Sequence, residues 1–321
     1  MAETMELLPV SPEDTRPAVP GNEAERLVLR AGALEATLSP TEGGRLATLR
    51  DLSGTPARDL VVPLRAWPAE PRRWPKGGAY PLIPYSNRIA DGRLRHAGRV
   101  WSVRSHPDAA PHSLHGPVHL REWEVESHAS TRAVLTLAAE PDGDWPWPYL
   151  ARQSFALTPE TLRIELSIEN RGAESAPVGL GWHPYLPWSP GVQIRHDARR
   201  RWLHDKDYLA TGESAPADAV EDRTCYLSNW TRLEVGYADG HCVHIAAAPT
   251  LSHLVLHRPD DDAYLCVEPV SHVANGFNLA AEGVVGTGTR LLEAGASFSA
   301  WVEIGLGRRG AWPAADREID P

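Results

Sequence analysis

TLRIELSIEN, residues 161–170, alternates without a break. Leu162, Ile164, Leu166 and Ile168 fall on one side, and Arg163, Glu165 and Ser167 on the other. Successive side chains of an extended chain point to opposite faces, so a period of two fits a strand with one face on a core. A helix would repeat its apolar residues at i, i+3 and i+4 instead. SFSAWVEIGL (297–306) repeats the pattern with Phe298, Ala300, Val302, Ile304 and Leu306. RAVLTLAA, CVHIAAAP and SHLVLHR are shorter strand candidates, and helical spacing is scarce. The 29 prolines and 26 glycines put turn signals between many short strands. This patterning predicts an all-β fold, a large β-sandwich.

The chain has 321 residues, 42% of them hydrophobic, enough to bury a substantial core. No linker interrupts residues 26–308, which read as a single β domain. The acidic, proline-rich residues 1–25 read as a mobile N-terminal tail. They lack the positive start and apolar core of a secretory signal. Residues 309–321 read as a short C-terminal tail. No apolar run approaches the ~20 residues that span a bilayer, so no membrane partner is expected. With 32 basic and 42 acidic residues and no basic stripe, nucleic acid is not an expected partner either. Cys225, Cys242 and Cys266 are odd in number and far apart. They suggest neither a disulfide framework nor a zinc spacing, and a reducing, cytoplasmic setting fits. Monomer and homodimer are both open. Trp, at 12 against 3 Phe, offers wide apolar faces suited to stacking on a pyranose.

Four stretches carry chemical groups in unusual settings. In YPLIPYSNRIADGRL (80–94), Asn87 and Arg88 supply a fork of donors for hydroxyls or a carboxylate. An arginine paired with a structural acid is the alternative. In PHSLHGPVHLREW (111–123), His112, His115 and His119 invite a metal reading. Pro111, Gly116 and Pro117 argue against the helix that would align them, so His115 reads better as a single hydrogen-bonding residue on a loop, or as a surface histidine. In GLGWHPYLPW (179–188), Pro184 holds His183 extended among aromatic neighbours. Such a histidine is either packed against a backbone carbonyl or held as a general acid. In YLCVEPVSHVANGFN (264–278), Glu268 interrupts an apolar run, so its carboxylate is paired with a cation or kept as a base.

The order of these signals is more specific than any one of them. N-R-I followed by D-G, then L-H-G with a Trp seven residues after the Gly, then G-x-H-P-Y, then V-E-P, resembles the aldose 1-epimerase (galactose mutarotase) family. GGRLATLRDLSG (43–54) is similar to that family's opening strands, and LLEAGASFSAWVEIGL (291–306) to its closing strand. The resemblance covers roughly residues 26–308. It implies a mostly antiparallel galactose-mutarotase-like supersandwich, an isomerase that exchanges the α and β anomers of a free aldohexose, a monosaccharide as the small-molecule partner, and no metal or organic cofactor. By resemblance His183 is the general acid and Glu268 the general base. Arg88 and His115 resemble the residues that hold the sugar, with Asn87 beside them.

One segment departs from the family. Its sugar-binding aspartate in L-D-x-x-F has no clean counterpart in VEDRTCYLSNW (220–230). Arg223 or Thr224 falls at the acid's place, and Asp222 lies one residue early. Asp222 either takes the role through a one-residue shift or the pocket reads another hydroxyl pattern. Two other functions remain on the same fold. One is a hexose-6-phosphate epimerase, for which Arg72, Arg73 and Lys76 supply cations. The other is a non-catalytic sugar-binding or sensing protein. A glycosidase would need two carboxylates flanking one bond, and no second acid stands out near these motifs.

Overall fold

The computed structural model describes residues 26–68, 72–217, 223–261 and 263–308. The two expected tails, 1–25 and 309–321, lie outside them. About half of the described residues are in strands and few are helical, with most strands in two large sheets and the rest in three two-stranded ones. The eight-stranded sheet runs, in spatial order, Glu124–Ala129, Arg132–Ala139, Tyr149–Leu157, Thr161–Asn170, Ser297–Arg308, His241–Ala247, Arg232–Gly236 and Gln193–His196. All of its pairings are antiparallel. The strands with the clearest alternation lie at its centre. Ile164 pairs with Phe155 on one side and Val302 on the other, and all three are buried.

The eleven-stranded sheet has at its middle the order Ala79–Leu82, Gly181–Leu186, Leu265–Val270, His253–His257 and Thr224–Ser228. These strands are buried on both faces, apart from a partly exposed His257. One face joins the core shared with the other sheet, through Leu227, Leu254, Leu256 and Val267. The opposite face builds a second cluster, with Tyr80, Tyr185, Tyr226, Val255 and Cys266. Burial on both sides removes the apolar–polar alternation, so these strands read as continuous hydrophobic runs. The single short α-helix among the described residues, Gly276–Ala281, packs near the strand Arg93–His96, where Asn278 Nδ2 donates to the Arg93 carbonyl at 2.9 Å. No helix is long and apolar enough to cross a membrane among the described residues.

Ile164 sits where the sheet is most tightly paired and its side chain is fully enclosed. Ile164→Ala is expected to cost ~2–5 kcal/mol through lost burial and the cavity left behind. Urea unfolding should show the midpoint falling with little change in slope.

Candidate active site

Two parallel rows of side chains cross the centre of the eleven-stranded sheet on its second face. In the first row Tyr226 lies opposite Val255, and Val255 opposite Glu268. Gly181 pairs with Val270 and Tyr185 with Cys266, which sets His183 opposite Glu268. His183 pairs on its other side with Tyr80. The second row lies two residues along each strand and runs Thr224, His257, Cys266, Tyr185. Period two puts both rows on one face. Apart from Tyr80, every member lines a cleft of about 630 Å³, including its open mouth. Trp74, Lys76, Arg88, His115, Tyr208 and Tyr264 are among the residues that complete its walls.

His183 Nε2 stands 3.2 Å from Glu268 Oε1, with both side chains almost wholly buried. The remaining polar atoms, His183 Nδ1 and Glu268 Oε2, are buried with no hydrogen-bond partner. Such orphans are costly, and they concentrate at sites that await a ligand. Burial raises the Glu268 pKa to about 8, while the Arg88 guanidinium pulls it back down. Burial drives His183 well below its ordinary value, helped by the Lys76 and Arg45 charges. Both shifts favour the uncharged forms. The imidazole is held by stacking on Tyr80, with ring centres 4.5 Å apart and planes 17° from parallel. The guanidinium of Arg45, itself fully buried, lies 4.3 Å from the same Tyr80 ring and donates to the Gly77 carbonyl at 3.0 Å.

Asn87 and His115 are tied to each other. The Asn87 amide N–H donates to His115 Nδ1 at 3.1 Å, and the His115 amide N–H donates to the Asn87 carbonyl at 2.8 Å. Both residues have φ of +56°, a left-handed conformation that costs energy outside glycine. Gly116 follows because any Cβ there would fall 1.9 Å from the Ile83 carbonyl oxygen. Asn87 Oδ1 also accepts from the Arg88 backbone amide at 2.9 Å, and the Arg88 guanidinium lies 4.9 Å from the Tyr208 ring centre. Arg88 and His115 both line the cleft from two loops locked together in this way.

Of the residues singled out in the sequence, His183, Glu268, Arg88, His115 and Asn87 converge on this one cleft. Asp222 lies outside the described residues. Thr224 lines the cleft and its hydroxyl meets His257 Nδ1 at 2.8 Å, whereas Arg223 donates to the Pro259 carbonyl at 2.7 Å. Of the three suggested phosphate-binding cations, Arg72 pairs with Asp144 at 2.5 Å and Lys76 lines the cleft with its ammonium 4.2 Å from the Trp74 ring centre. Arg73 is not among the lining residues. The three histidines of 112–119 separate. His112 Nδ1 accepts from the Asp91 amide, His119 Nδ1 meets the Gly116 carbonyl, and only His115 faces the cleft. Sequence reasoning missed Tyr226, Val255, His257, Cys266 and Tyr185. Cys266 and Tyr185 stand two positions from Glu268 and His183, the signal that could have found them. One ligand atom each from His115, His183 and Glu268 lies within 4.8 Å of the others, close enough for the three to hold a metal ion.

Two antiparallel sheets with this site on the face of one define a galactose-mutarotase-like β-supersandwich. The chain belongs to the aldose 1-epimerase family, whose sequence model matches residues 25–305. It is similar to an uncharacterized Escherichia coli protein, YphB, with 36% identity over 131 residues, 41% of this chain and 44% of YphB. A second E. coli relative, YihR, is 31% identical over 33% of this chain and 34% of its own length. The matched stretch thus spans less than half of either curated relative. Among solved structures, the GalM/aldose epimerase homologue of C. elegans superposes with TM-score 0.75 at 18% identity, over 88% of this chain and 99% of that one. A galactose mutarotase-like protein from Clostridium acetobutylicum gives TM-score 0.72 at 18% identity, over 88% and 94%. At such identities these two neighbours speak for the fold alone.

His115 Nδ1 accepts a hydrogen bond, so its proton sits on Nε2, facing the cleft. Burial, then the neighbouring His183, pushes its pKa well down. Nitrogen-15 NMR of the ring should show a neutral Nε2–H tautomer at pH 6.5. A protonated ring there would contradict this geometry.

Proposed function

We propose that the protein is an aldose 1-epimerase that opens and recloses the ring of a free aldohexose by general acid–base catalysis. The observation that carries this reading is the His183–Glu268 contact at the floor of the cleft. The base removes the proton of the anomeric hydroxyl. The acid donates a proton to the ring oxygen as its bond to C1 breaks. The open aldehyde turns about C1–C2, and the ring closes on its other face with the roles reversed. Glu268 serves as base and His183 as acid on the outward leg, following the family motif. Microscopic reversibility requires each to hold and release a proton, and one proton shared by the pair meets that need.

A sugar entering the cleft brings hydroxyls to the orphaned Glu268 Oε2 and His183 Nδ1. Arg88, already close enough to stabilise ionised Glu268, favours the charge-separated pair on which the reaction depends. Arg88, Asn87 and His115 hold the hydroxyls and ring oxygen. Trp74 and Tyr264 offer apolar surface at the walls. Holding the sugar between acid and base adds to what each supplies.

One observation favours a second substrate. Lys76 brings a cation to the cleft wall beside Trp74 and makes no ion pair with a carboxylate among the described residues. An aldose bearing a phosphate or another anionic group fits that charge. Comparing kcat/KM for glucose and glucose 6-phosphate, in wild type and Lys76→Met, separates the two readings.

Polarimetric relaxation of fresh α-D-glucose and α-D-galactose tests the activity directly. Wild type should accelerate it, and Glu268→Gln should lower kcat by about 10²–10⁴-fold while sugar binding persists. No acceleration of any neutral or phosphorylated aldose by the wild type would overturn the proposal. The shared proton also sets the pH profile, because a coupled pair titrates as a unit. The rate should fall below the depressed histidine value, where the pair takes a second proton. It should also fall above about 8, where the pair loses its only one. The plateau between the two limbs should persist after exhaustive chelation.

A further inference from the structure

A second cluster of chemically capable side chains lies on the other sheet, away from the cleft. Leu233, Val235, Val243 and Ile245 face the core, so the residues alternating with them lie on the opposite face of the sheet. Three of these are Glu234, Cys242 and His244. Glu234 and His244 are direct cross-strand partners, and Cys242 stands two residues from His244 on the same face. One ligand atom from each lies within 4.8 Å of the other two.

We propose that Glu234, Cys242 and His244 bind a borderline divalent transition-metal ion, zinc foremost. Glu234 is 1% exposed, and its Oε2 has no hydrogen-bond partner. Arg195 approaches the other carboxylate oxygen, Oε1, at 3.9 Å, which leaves Oε2 on the side of the histidine. His244 Nδ1 lies 3.7 Å from that Oε2, and His244 Nε2 lies 3.7 Å from Cys242 Sγ. The first gap is too wide for a hydrogen bond. An imidazole gives a single ion only one of its nitrogens, so one of these gaps forms an edge of the coordination tetrahedron, roughly 3.5 Å long for zinc–oxygen, zinc–nitrogen and zinc–sulfur bonds of about 2.0–2.3 Å, and the third donor stands within 4.8 Å of the other two. A thiolate and a carboxylate carry two negative charges and the imidazole none, so a divalent ion balances the set. Mixed sulfur, nitrogen and oxygen donors select zinc and its neighbours over magnesium or calcium.

The neighbouring strand makes room for the histidine. A Cβ at Gly307 would fall 1.9 Å from His244 Nε2, so the ring lies where only glycine allows it. The His244 side chain is about one-third exposed, at 33%, which gives an ion a route from solvent and leaves room for a water as fourth ligand.

Cobalt(II) titration of the untagged full chain tests the site. One equivalent should produce the near-ultraviolet thiolate-to-cobalt charge-transfer band, and zinc should displace it. Cys242→Ser should abolish the band, and His244→Ala and Gly307→Ala should each weaken cobalt binding at least tenfold. Cys266→Ser, which removes the thiol lining the cleft, should leave the band intact. Absence of a band in the wild type would overturn the site. So would a band that survives Cys242→Ser or vanishes in Cys266→Ser.

Discussion

The contact between His183 and Glu268 is made by strand pairing. Neither side chain reaches out from a flexible loop; each stands at a fixed position on one of two adjacent central strands, directly opposite the other. Both faces of that sheet are covered, so the pair sits away from bulk water. Burial there drives the carboxyl up and the imidazole down. The rest of the site follows from this placement. The rows on either side supply Tyr226, Thr224 and His257 as walls, and the two separate loops carrying Asn87 and His115 border the cleft with strained backbones held together by reciprocal hydrogen bonds.

A second influence reaches the pair from beneath. Arg45 is wholly buried, and two of its guanidinium nitrogens have no partner. Its charge lies against the Tyr80 ring, and Tyr80 stacks on His183. An aromatic ring is polarisable and accepts a cation on its face. The cation behind it makes a charged His183 harder to form, adding to the effect of burial. The imidazole thus gives up a proton readily once it has one, a property that suits the proton transfer proposed for it.

How much of this could be read from the chain depended on what covers each strand. The 161–170 and 297–306 segments alternate cleanly because one face meets the core and the other meets water, and they are central strands of the eight-stranded sheet. The strands of the site are covered on both faces, so GLGWHPYLPW carried no alternation, and its histidine was legible only through its motif. His183, Glu268, Arg88, His115 and Asn87 were found that way. The second row was missed because it depends on register between strands far apart in the chain, which no local pattern encodes. The Glu234–Cys242–His244 trio escaped for the same reason: cysteine spacing alone suggested no zinc site, since one of its donors comes from the neighbouring strand. The short helix Gly276–Ala281 follows directly on the Glu268 segment and is too brief to show a helical period.

The two cross-strand rows also bear on how the molecule is assembled. Their members come from strands scattered over most of the chain, and contacts between such distant segments form late and slowly. A slip of one residue between the Gly181–Leu186 and Leu265–Val270 strands would turn His183 or Glu268 toward the core. That misalignment would bury a carboxyl among leucines while it dismantled the site. Folding fidelity and chemical competence are therefore monitored by the same pairing event, and a partly assembled chain has no working site to expose.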